Sequence, residues 1–139
     1  MDGIVLPNLK MGGKVERCGF LNQEGRCGIH SFRPGICRLF PLGRIYDEQG
    51  FQYFLQVHEC RRENRAKVKV RKWIDTPDAK RYEKYVSDWH FFLKRLKRKM
   101  EEDGDQALAN KISMYVLKQF YLTPYDRDQD FFRSVWQKA

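Results

Sequence analysis

The sequence has no Cys-x-x-Cys pair, no internal repeat, no low-complexity tract and no Ser/Gly linker. The first absence excludes the usual zinc ribbons and fingers, which are written around such knuckles. No stretch approaches the roughly 20 apolar residues that a membrane-spanning helix needs, so no membrane association is expected. The only apolar run near the N-terminus is Ile4-Val5-Leu6, ahead of Pro7. It is too short for the hydrophobic region of a signal peptide, so the expected location is cytoplasmic. In a reducing compartment, four cysteines are expected as thiols or metal ligands rather than as disulfides.

What is present suits one domain, or one domain with a helical appendage: 139 residues can bury a core without disulfide staples. The net charge of +9 is uneven, at +1 over residues 1–60, +10 over 61–100 and −2 over 101–139. The basic segment 61–99 is therefore a candidate contact for an acidic protein or a nucleic acid. A solvated helix face would carry the same charges.

Residues 1–43 hold eight of the ten glycines and three of the five prolines, which argues against long regular elements there. Arg44-Ile-Tyr46 and Phe51 to Val57, around Asp47-Glu-Gln-Gly50, read as a β-hairpin. From about residue 68 the pattern turns helical. Val70, Trp73 and Ile74 fit one short turn, and Asp75-Thr76-Pro77 reads as a cap with proline at the first helical position. Tyr82, Tyr85, Val86, Trp89, Phe92, Leu93, Leu96 and Met100 then recur at three- and four-residue steps, the inner stripe of a long amphipathic helix. Lys80, Lys84, Lys94, Arg95, Lys97, Arg98 and Lys99 lie on its other face. Gly104 breaks the pattern, and helices are expected again at about 105–121 and 128–138. The stripes, and His90 beside Trp89, read as structural.

The cysteines stand as Cys18-x8-Cys27-x9-Cys37-x22-Cys60, none of them on a predicted helix. Four thiolates could close a tetrahedral zinc site or hold an iron–sulfur cluster. His58 and His30 are alternative nitrogen donors, and a strand through His58 and Cys60 would put both side chains on one face. Four unliganded thiols and a Cys60–His58 nucleophilic pair are the competing readings. Arg33 and Arg38 bracket Cys37. Guanidinium groups there could offset thiolate charge and donate to sulfur or to loop carbonyls, or could pair with Glu59 or Glu24. Pro34 and Pro41 stiffen the loop on both sides.

The run Cys18-Gly-Phe-Leu, Gly25-Arg-Cys27-Gly-Ile and Arg33-Pro-x-x-Cys37-Arg-x-Phe40-Pro41 resembles the second half of the YkgJ family signature. That family is described as zinc- or iron-chelating, with a Cys-x-x-Cys-x-x-Cys-Cys motif. The resemblance covers about residues 18–60. It implies that Cys18, Cys27 and Cys37 are family cysteines and that Cys60 is the later one, after the hairpin. The family's Cys-x-x-Cys-x-x-Cys-Cys element lies upstream of this run, and no cysteine here precedes Cys18. The chain therefore reads as an N-terminally truncated member, as one whose true start lies upstream, or as a divergent member; if the family's site uses both halves, this sequence holds half of the ligands. Flagellin lysine methylases resemble the family through a similar domain, which suggests a part in a cluster-dependent redox or methyl-transfer enzyme. No S-adenosylmethionine-binding glycine loop accompanies it.

The expected fold is α+β. Residues 1–62 form a cysteine-rich loop region with a β-hairpin, and residues 63–139 form a helical layer of three to four helices. The expected function is chelation of zinc or an iron–sulfur cluster by Cys18, Cys27, Cys37 and Cys60, with Arg33 and Arg38 behind them. A basic nucleic-acid-binding module is the alternative.

Overall fold

The computed structural model describes residues 3–12, 17–59, 63–64 and 66–138. Its architecture is α+β, with two small antiparallel hairpins and several helices. Contacts divide the chain into a helical unit, Met1–Lys10 with Arg81–Ala139, and a cysteine-rich unit, Met11–Lys80.

The helical unit is built on α3 (Ala79–Asp103) and α4 (Gln106–Leu117). Gly104, at φ +71°, ends α3 in the left-handed conformation that glycine adopts without strain. Asp105 then caps α4, its carboxylate accepting the Ala107 N–H at 2.8 Å. The last turn of α4 widens into a π-turn, Lys118–Leu122. A short helix, α5 (Phe131–Ser134), follows and tightens into a 3₁₀ turn at Val135–Gln137. Asp130 caps α5 through the Arg133 N–H and forms a two-pronged pair with Arg81 at 2.5 and 2.6 Å.

The apolar stripes meet in one core of Ile4, Leu93, Met100, Val116, Phe120 and Val135. Tyr85, Trp89, Phe92 and Trp136 pack on it and meet one another through edge and tilted ring contacts. Ile4 joins because Ser113, buried on α4, holds the N-terminal segment. Its hydroxyl donates to the Gly3 carbonyl at 2.9 Å and accepts the Val5 N–H at 3.4 Å.

The cysteine-rich unit has a two-residue hairpin, β1 (Met11–Gly12) with β2 (Arg17–Cys18), and a longer one, β3 (Leu42–Tyr46) with β4 (Phe51–Leu55). Asp47 shapes the second turn by accepting the Gln49 and Gly50 N–H groups at 2.8 and 2.9 Å. Two five-residue helices, α1 (Gly35–Leu39) and α2 (Val70–Ile74), pack on each other and bury Leu39 and Ile74. Those are the buried apolar side chains of this unit among the described residues.

Two sequence expectations change here. Asp75 does not cap the long helix; it closes α2 in the left-handed conformation, at φ 47°, with its N–H on the Arg71 carbonyl. Pro77 is not the first helical residue, because Asp78 also takes a positive φ and α3 starts only at Ala79. Aspartate tolerates that region better than most residues.

Candidate metal centre

Local turns bring the first three cysteines into one neighbourhood. Cys18 ends β2, and its carbonyl accepts the Leu21 N–H at 3.2 Å. Cys27 pairs antiparallel with Leu21 across a tight turn. Asn22 and Gly25 make that turn: the Asn22 side chain accepts the Arg26 N–H at 2.8 Å, and Gly25 takes φ +73°. Cys37 is the third residue of α1, although the sequence placed no cysteine on a helix. Pro34 presets the backbone there, and its carbonyl accepts the N–H groups of Cys37 and Arg38 at 2.9 and 3.2 Å. One helical turn therefore forms between two prolines.

All three are free thiols, partly buried. The Cys37 thiol is pushed above its ordinary value, first by burial, then by the nearby charges of Cys18 and Cys27, while Arg33 pulls it down. Ionised thiols at Cys18 and Cys27 would thus act on Cys37, and a positive centre near it would offset them. Arg33 adds a second sign. Its Nε–H is buried without a hydrogen-bond partner among the described residues. A guanidinium near the Cys37 thiol, with a buried N–H that no described acceptor takes, is chemically suited to a thiolate.

Arg38 does something else. Its Nε donates to the Arg33 carbonyl at 3.1 Å, and its two terminal nitrogens donate to the carbonyls of Asp75 at 2.8 Å and Ser31 at 3.3 Å. It therefore clamps the thiol-bearing loop to the end of α2. Its carboxylate neighbour is Asp75, at 3.9 Å, while Glu24 faces Arg26. The alternative reading, a pairing with Glu59 or Glu24, does not form for Arg38 among the described residues.

His30 starts an exposed 3₁₀ turn, His30–Phe32. His58 lies exposed in the turn after β4, so no strand carries it toward residue 60. Cys60, the fourth proposed ligand, lies outside the described residues. Among the described residues, no three His, Cys, Asp or Glu side chains are arranged closely enough to hold a metal ion. In kind, the thiols of Cys18, Cys27 and Cys37 suit a soft cation.

Residues 6–68 match the CxxCxxCC family, described as "Putative zinc- or iron-chelating domain". The matched span falls largely within the cysteine-rich unit and stops short of α3. The chelating-domain match thus covers the turns that carry Cys18, Cys27 and Cys37 and the clamp residue Arg38. No curated protein and no solved structure matches the chain. No helix among the described residues is long and apolar enough to cross a membrane.

Loop carbonyls were among the acceptors expected for these arginines, and Arg33 and Ser31 supply two to Arg38; the third, on Asp75, was missed. Asp75 is 37 residues away, and a backbone carbonyl leaves no residue-type signal. The indole of Trp73, which donates to the Phe40 carbonyl at 3.0 Å, was equally silent.

Proposed function

We propose that the chain is a zinc-chelating protein of the YkgJ type, working in a reducing compartment. Cys18, Cys27, Cys37 and Cys60 hold the ion. Arg33 donates its orphan Nε–H to a ligand sulfur, and Arg38 acts one step further out by fixing the loop. The observation that carries this reading is a free Cys37 thiol within electrostatic reach of two further free thiols, Cys18 and Cys27, and of Arg33, whose buried Nε–H has no acceptor among the described residues. Zinc suits a set of four thiolates and needs no redox partner. When bound it supplies positive charge that stabilises the thiolates. It also supplies a cross-link to a unit that buries only Leu39 and Ile74 among its described apolar residues.

The test is anaerobic purification followed by metal analysis and visible absorption. Stoichiometric zinc without colour supports the reading. A brown protein carrying iron replaces it with an iron–sulfur cluster held by the same residues. A folded, metal-free protein whose Cys37→Ala variant is equally stable ends it.

A further inference from the structure

Beside the clamp lies a cleft of about 620 Å³, lined by Arg38, Lys69, Arg71, Lys72, Asp75, Thr76 and Pro77. Four cations and one carboxylate face it, and its size falls in the roughly 300–1,000 Å³ range of small-molecule sites. We propose that this cleft binds a phosphate-bearing small molecule through Lys69, Arg71, Lys72 and the pre-oriented guanidinium of Arg38.

Three observations carry the assignment. Asp75 is the one carboxylate lining the cleft, and among the described residues no ion pair neutralises Lys69, Arg71 or Lys72. The basic face of α3 differs. Its Lys84, Lys97 and Arg98 each pair with an acid one turn on, Asp88, Glu101 and Glu102. The positive charge of the cleft is thus available to a ligand, while three of the seven basic residues on that face of the long helix are already answered. Second, Arg38 is held rigidly. Three of its five N–H groups go to carbonyls, so it presents the remaining donors without losing the rotamer freedom a loose side chain would lose. Third, the site is concave and short. A nucleic-acid backbone needs an extended track, whereas one or two phosphate groups fit a single cleft.

Asp75 opposes an anion, and this gives the test a direction that a structural role would not produce. Asparagine accepts the left-handed conformation at position 75 and keeps the carbonyl that Arg38 uses. Calorimetric titration of the full chain as purified with pyrophosphate at low ionic strength is expected to show binding. Asp75→Asn should tighten it about threefold, and the double variant Lys69→Gln/Lys72→Gln should weaken it about tenfold. Lys97→Gln/Arg98→Gln on α3 should leave it unchanged. Circular dichroism confirms that each variant is folded. The proposal is overturned if pyrophosphate does not bind, or if Asp75→Asn and the double variant both leave its affinity unchanged. Preferential binding of a short single-stranded RNA that depends on Lys97 and Arg98 also overturns it, in favour of a nucleic-acid surface on α3.

Discussion

Replacing Arg38 with methionine keeps the alkyl stem and deletes the donors that tie Ser31, Arg33 and Asp75 together. A hydrogen bond to a charged group contributes about 1.5–3 kcal/mol net. The bonds to Asp75 and Arg33, at 2.8 and 3.1 Å, should lie within that range, and the 3.3 Å bond to Ser31 below it. The ion pair with Asp75 adds little, because its oxygen is 3.9 Å away on a side chain 88% exposed. The freed Asp75 carbonyl, on an exposed residue, can be rewetted, which trims the total. The expected loss is about 3 kcal/mol for the loop and α2, or about a hundredfold in local opening. Hydrogen exchange by NMR reads this at the Cys37, Arg38 and Trp73 amides, which donate to Pro34 and Lys69. Arg38→Lys should recover only part of the loss, since an ammonium lacks the fork that spans separated carbonyls. Unchanged protection in Arg38→Met would refute the clamp. Lost metal with unchanged protection would instead place the guanidinium on the thiolates.

Ser113→Ala should cost about 1–2 kcal/mol, because the Gly3 carbonyl and Val5 N–H both lose their partner; faster exchange at Val5 and a lower melting temperature check it. Gly43→Ala drives a methyl into the ring of Phe54, its cross-strand partner, and should loosen the β3–β4 hairpin by about 1 kcal/mol, read as faster exchange of the hairpin amides. Arg81 first, and the Arg133 N–H second, hold the Asp130 carboxyl below its ordinary value of 3.8. A carboxyl depressed in the folded state stabilises fully above its unfolded value and loses that contribution as pH falls through the folded one. Melting curves between pH 2 and 7 should therefore show a shallower acid limb in Asp130→Asn than in the parent.

The helices were legible because their signal is periodic. Leu93, Phe92, Trp89 and Met100 fall on one stripe at helical spacing, and Gly104 ends it by a conformation only glycine takes easily. The hairpin was legible from Asp47 and Gly50, whose turn chemistry is local. The short α1 was not. Glycine, cysteine and two flanking prolines read as irregular chain, while the turn rests on the Pro34 carbonyl and on packing against α2. The role of Asp75 was misread, because aspartate before Thr-Pro signals a helix start as readily as a left-handed helix end. At the candidate site, the nearness of Cys18, Cys27 and Cys37 follows from turns whose residues were visible. That loop carbonyls could take an arginine was visible, but not which arginine would use them. Arg33 and Arg38 differ only in which atoms lie within reach, and those atoms come from Ser31 and Asp75 as backbone.

X-ray absorption at the metal edge of the purified chain tests the central claim most directly. Chelation by Cys18, Cys27, Cys37 and Cys60 predicts zinc with four sulfur neighbours at about 2.3 Å and no nitrogen or oxygen in the first shell. A shell dominated by nitrogen or oxygen, or a folded chain without bound metal, would contradict it.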